Sequence, residues 1–238
     1  MTWQDAAVAG LGARGVAAWK PAANGTWTTA WSLAVGGTAF LALSWLDLVG
    51  AATGATLGCA LAELHRVAQG EPYGWARDNF IGATPQVNGW LDDWAVLFRD
   101  RRLAPQLARA SRAGYRLRDA DALLAAVRHL LATHRPQPSL LHGDLWSGNA
   151  GVLATGAPAI FDPAVYVGDR EADLAMTRLF GGFDASFYRA YEEAWPLAPG
   201  HEARRDLYNL YHVLNHLNLF GASYLARAEQ MIARLLRA

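Results

Sequence analysis

Residues 140–150 read LLHGDLWSGNA, and His142, Asp144, Trp146, Ser147 and Asn149 put polar groups between two apolar runs. Asp144 and Asn149 stand five apart on what reads as a tight loop. Asp162 follows after a short hairpin that can fold it back beside them. This set suits phosphoryl transfer: one carboxylate accepts the proton of an attacking hydroxyl, while an amide oxygen and a second carboxylate hold Mg²⁺ on nucleotide phosphates. Hard oxygen donors are what magnesium prefers. The same Asp and Asn also suit ordinary turn hydrogen bonds, so the spacing leaves both readings open. His142, flanked by strand residues, reads as a hydrogen-bonded support for the loop.

Working outward, the 238 residues are 53% hydrophobic, enough to fill a sizeable core in one large or two small domains. Lys plus Arg and Asp plus Glu both number 21, so no net charge draws the chain to nucleic acid or to an anionic membrane. A small, roughly neutral partner is expected instead. Cys59 is the only cysteine, which excludes an internal disulfide and argues against a cysteine-based metal cluster. The first residues, MTWQDAAVAGLGARG, carry an early Asp5 and lack the basic start and apolar stretch of a secretory signal, so cytoplasm is the expected compartment. Ser44, Asp47 and Glu63 interrupt the apolar region 31–64 before it reaches a membrane span.

The pattern is β first and α afterward. TTAWSLAV and TAFLALSWL flank Gly36-Gly37, which predicts an antiparallel hairpin. Leu57, Leu61 and Leu64 predict a helix over 53–67, with Gly54 and Gly58 available for close helix packing. Residues 71–89, rich in Pro, Gly and Asn punctuation, predict an extended loop. WLDDWAVLFRDRRLAPQLARA returns to helix, with Trp90, Trp94, Leu97 and Phe98 on one face and the Arg99 to Arg102 charges read as solvated. Further helices are predicted over 123–131, 174–180, 187–195, 207–220 and 226–236, with two short β-like runs, at 140–150 and 157–166, bracketing a turn.

LLHGDLWSGN, IFDPAVYVGDREADLAMTRLFGGF, FYRAYEEAWPLAPG, LYNLYHVLNHLNLFG and DNFIGATPQVNGW resemble the fructosamine kinase family, relatives of aminoglycoside phosphotransferases and choline kinases. The resemblance runs over about residues 43–225. It implies an α+β, protein-kinase-like two-lobe fold with a small, truncated β-rich N-lobe over 1–46 and a mainly helical C-lobe over 47–238. It implies an ATP-dependent phosphotransferase acting on a sugar hydroxyl of a ketosamine, the adduct left when a sugar glycates an amine or a protein; in some members the product decomposes and frees the amine. By the same resemblance Asp144 matches the catalytic base, and Asn149 and Asp162 match the magnesium ligands, with DPA where protein kinases have DFG. Asp173 matches an acid that supports the catalytic loop. On the residues alone, Asp169, Glu171 and Asp173 also suit the positive end of a helix dipole. Trp146 is placed beside the sugar, where an aromatic face can cover it, and equally suits a core position.

The N-terminal part departs from the family. PAANGTWTTAWSLAV resembles the loop and first two strands that cover ATP but holds only Gly25, and SWLDL, with Trp45 and Leu46, resembles the hinge that binds adenine. The strand-end lysine for the nucleotide phosphates and its partner glutamate are absent: a helix and two strands need on the order of 30 residues, and Phe40 to Trp45 leaves no room. Lys20 precedes the loop and does not match. A catalytically impaired kinase-like binding protein is therefore a second expectation. An aminoglycoside or choline kinase is a third, disfavoured by RDRR in a helix near the expected cleft, since polycations need carboxylates. His212 and His216 in HVLNH have the spacing of a zinc pair, but no glutamate or third ligand accompanies them, and packing is the favoured reading.

Overall fold

The computed structural model describes residues 27–35, 38–51 and 54–237, which divide into two units. The described part of the smaller unit comprises 27–35, 38–51 and 148–162. Strands β1 (Trp27–Val35) and β2 (Thr38–Leu46) pair antiparallel from Trp27 opposite Leu46 to Val35 opposite Thr38, the hairpin that the two β-rich runs predict. Strand β3 (Leu48–Gly50) adds to a second sheet in the order β3-β7-β8, where β7 is Ala150–Leu153 and β8 is Pro158–Ile160. Pairing with β3 gathers the segment 148–162 into this unit. Gly151 permits that pairing, since a Cβ there would lie 2.8 Å from the Leu48 side chain.

The larger unit is mainly helical. Helix α1 (Ala55–Arg66) packs on α6 (Ala185–Ala194) through Gly58, where a Cβ would sit 2.4 Å from the Phe187 carbonyl oxygen. The 71–89 segment departs from a plain loop: β4 (Asn79–Ile81) and β5 (Thr84–Gln86) form a hairpin, and Tyr73 and Gly74 bridge to Leu91 and Val167. Strands of three residues are too short to show a period of two.

Helix α2 (Trp94–Leu97) starts at Asp93, whose carboxylate accepts from the Val96 N–H, so Trp90 lies outside it and is exposed. It continues through a π-helical turn, Phe98–Leu103, into α3 (Ala104–Arg112). Pro105 has no N–H for the Arg101 carbonyl, and the Arg102 guanidinium donates to that carbonyl at 3.0 Å. Arg102 corrects the expectation of a solvated charge run. It is fully buried, donating to the Val87 carbonyl at 2.6 Å and the Asn88 carboxamide at 2.8 Å, with its guanidinium 3.9 Å from the centre of the Tyr166 ring.

Helix α4 (Ala120–Leu130) precedes β6 (Pro138–Leu141), which pairs antiparallel with β9 (Tyr166–Asp169). Helices α5 (Glu171–Thr177), α7 (His201–Phe220) and α8 (Leu225–Leu235) complete the unit. Its core gathers Trp94, Phe98, Leu123, Leu141, Tyr166, Tyr208, Leu214 and Ile232 among others, with α7 running through it. Among the described residues no helix is long and apolar enough to cross a membrane.

Candidate active site

The loop after β6 is fixed by its own backbone. The N–H groups of His142 and Gly143 donate to the two oxygens of Asp173, each at 2.8 Å. Gly143 takes a φ of +83°, and a Cβ there would lie 2.1 Å from the Ala164 carbonyl oxygen, so only glycine fits. The Asp144 N–H donates to His142 Nδ1 at 3.3 Å, which makes that nitrogen the acceptor and turns the imidazole into a cap on its own loop. Asp144 is partly exposed at the end of this frame.

Asp173 itself is buried in the first turn of α5 and closes a longer chain of contacts. His65 Nε2 lies 3.1 Å from Asp173, and His65 Nδ1 lies 2.7 Å from the Tyr191 hydroxyl, which also accepts from Arg170. Burial raises the Asp173 pKa, but the His65 hydrogen bond, the nearby imidazoles and the Gly143 N–H outweigh it and hold the carboxyl below its ordinary value. His65 carries no motif in the sequence. It meets Asp173 across 108 residues, a distance that local pattern does not register.

Asn149 and Asp162 lie in the smaller unit, at one end of the β7–β8 hairpin. Ala150 pairs with Ile160, and the Phe161 N–H donates to the Asn149 carbonyl, so the register brings the residue before β7 and the residues after β8 together. Asn149 is buried. Asp162 adopts a φ of +60°, rare for a non-glycine residue, and burial pushes its carboxyl up to about 7. Burial alone drives that rise, and a bound cation would relieve it. A carboxylate and a carboxamide on residues at the same end of one hairpin are hard oxygen donors of the kind magnesium takes.

Trp146 is exposed and meets Phe180 edge-on at 6.2 Å, so it is a surface rather than a core tryptophan. Phe180 in turn packs on His216 at 4.7 Å, and His216 on Phe220 and Tyr224. His216 Nδ1 lies 2.8 Å from the His212 carbonyl, which can only accept, so that nitrogen carries the proton and is engaged within its own helix. Trp45 and Leu46 end β2, opposite Thr28 and Trp27; Gly25 and Lys20 lie outside the described residues.

A second polar cluster, His134, Asp169 and Glu171, has ligand atoms within 4.8 Å of one another. Protein donors already fill it: His134 and the Tyr208 hydroxyl meet Asp169 at 2.6 and 2.5 Å, and Arg204 holds Glu171 through two bonds of 2.7 Å. It ties α5 to α7 and to the 131–137 connection.

The sequence model of the fructosamine kinase family matches residues 26–238. A Synechocystis protein assigned as a ketoamine kinase is 48% identical over 203 residues, covering 84% of this chain and 69% of its own length. A Vibrio parahaemolyticus protein with the same assignment is 48% identical over 75% of this chain, and the chain spans 62% of that relative. Among solved structures, a Thermobifida fusca protein assigned as a fructosamine-3-kinase superposes with a TM-score of 0.77 at 33% identity, covering 88% of this chain and 74% of its own. A choline/ethanolamine kinase family protein of Mesorhizobium loti, 17% identical with a TM-score of 0.51 over 86% of this chain and 72% of its own, shares the α+β kinase-like fold. By the reach of the family match and these identities, the chain belongs to the fructosamine kinase family.

Proposed function

We propose that this chain is an ATP-dependent phosphotransferase that transfers the γ-phosphoryl group to a sugar hydroxyl of a ketosamine. The observation that carries the reading is the frame around Asp144: a loop whose backbone is clamped by Asp173 and whose glycine admits no side chain, in a chain of this family. Asp144 accepts the proton of the substrate hydroxyl as its oxygen attacks the γ-phosphorus, the bond to the β-phosphate oxygen breaks, and ADP leaves. Asn149 and Asp162 would hold Mg²⁺, which when bound neutralises charge on the phosphates. Trp146 offers an aromatic face to the sugar. The Trp45–Leu46 segment would serve as the hinge that binds adenine. His142 and Asp173 keep the loop in shape and do not touch substrate.

The absent lysine–glutamate pair favours a second reading, a family member that binds ketosamine without turnover, because one phosphate-directed electrostatic contact is worth about 3–4 kcal/mol in such sites. Calorimetry with Mg-ATP and with a fructosyl amine, followed by an assay for ADP, separates the two. Binding of both with ketosamine-dependent ADP release supports the kinase. Ketosamine binding with neither nucleotide binding nor ADP release supports the second reading.

A further inference from the structure

Helix α7 carries a polar atom that neither the core nor the loop frame uses. His212 is buried, and its Nδ1 has no hydrogen-bond partner, although buried polar nitrogens are almost always paired. That nitrogen faces the loop: the Oδ1 atom of Asp144 lies 3.9 Å away.

We propose that His212 is a positioning residue for Asp144, donating its Nδ1–H to the carboxylate and setting the orientation in which that carboxylate meets the substrate hydroxyl. The inference rests on the reading of Asp144 as the base. The clamp from Asp173 fixes the main chain of residues 142 and 143. His212 approaches from another element and engages the carboxylate end.

The chemistry selects one form of the imidazole. Burial pushes the His212 pKa down to about 3, with His216 and Arg102 also lowering it and Asp173 opposing them, so the ring is neutral at neutral pH. A neutral ring with its proton on Nε2 would turn the Nδ1 lone pair toward a carboxylate oxygen, which repels it. With the proton on Nδ1 the same approach becomes attractive. At 3.9 Å the contact is longer than a hydrogen bond; a small closure on substrate binding completes it. A ring that stays neutral does not take the substrate proton, so its effect passes through Asp144.

The test is the ring's tautomer, read by NMR of the full chain labelled with ¹⁵N-histidine, with His212→Asn identifying the resonance. The expected result is a neutral His212 protonated on Nδ1 in the wild type, reverting in Asp144→Ala toward the Nε2–H form that free imidazole prefers. An Nε2–H ring in the wild type, or a tautomer indifferent to Asp144→Ala, overturns the proposal. Kinetics supply an independent arm. His212→Leu should lower kcat about 10- to 100-fold with KM within twofold, and His212→Asn, which keeps an N–H donor near the Nδ1 position, should recover most of it. Equal losses in both variants contradict the proposal. Absence of turnover in the wild type would instead overturn the phosphotransferase reading, while the tautomer still decides the hydrogen bond.

Discussion

The 142–146 loop with its Asp173 clamp and the hairpin end with Asp162 each withdraw a carboxylate from water, and they treat its charge in opposite ways. Around Asp173 the protein supplies two backbone N–H groups and an imidazole, and the carboxyl is held below its ordinary value. At Asp162 burial alone acts, and the carboxyl is pushed up to about 7. A carboxylate that supports structure has its charge answered by the protein. On the proposed reading, the carboxylate that would hold Mg²⁺ keeps its charge unanswered until the ligand arrives, and the folded state carries that cost.

The largest expected effect separates the frame from the group it presents. Asp144→Asn should lower kcat by about 10²- to 10⁴-fold, the range for a general base, and leave the melting temperature near the wild-type value. A loop that collapsed with this change would show that Asp144 also holds the frame.

Asp162→Asn sharpens the contrast, because activity and stability should move in opposite directions. Turnover should fall by about 100-fold, comparable to losing a metal contact. The melting temperature without metal should rise by about 2–4 °C, equivalent to about 1 kcal/mol after allowing for partial exposure of the carboxyl. Magnesium should stabilise the wild type more than this variant. A lower melting temperature for Asp162→Asn would break the comparison.

Asp173→Ala should behave oppositely, costing about 3–5 kcal/mol by stranding His65 and two backbone donors. The pH dependence follows from the direction of the shift. A carboxyl whose folded pKa lies below its unfolded value, about 3.9, contributes stability above that value and loses it as pH falls through the folded pKa. The gap in melting temperature between wild type and Asp173→Ala should therefore be full at neutral pH and narrow below about pH 4.

Two arginines three residues apart repeat the contrast between buried and exposed charge, and the exposed one gives the smallest effect of all. Arg102→Ala should cost about 3 kcal/mol because it opens a buried space and leaves the Asn88 carboxamide short of a donor. Arg99→Ala, which removes only a half-exposed pair with Asp100, should stay within about 0.5 kcal/mol. Both are measured by urea unfolding.

Those arginines also mark where the sequence stops being legible. RDRR reads as a solvated run because its partners are invisible locally: the carbonyl of Val87 lies 15 residues back, and Tyr166 comes from another strand. The β1–β2 hairpin, helix α1 and the 207–220 part of α7 were readable because their patterns are local: β-rich runs around Gly-Gly in one case and apolar residues at helical spacing in the others. Residues 140–150 and Asp162 were singled out from spacing and resemblance together. His65 was not, since a lone histidine on a helix gives no sign of an aspartate 108 residues away. HVLNH was read for the spacing between its two histidines, whereas the structure engages His216 within the helix and directs His212 toward Asp144.

The most direct test of the account is mass spectrometry of a fructosyl amine incubated with Mg-ATP and the full chain, in parallel with Asp144→Asn. The account predicts a ketosamine one phosphoryl group heavier from the wild type, dependent on magnesium and nearly absent with the variant. A folded wild type that yields no phosphorylated ketosamine, or an Asp144→Asn variant that yields as much as the wild type, would contradict it.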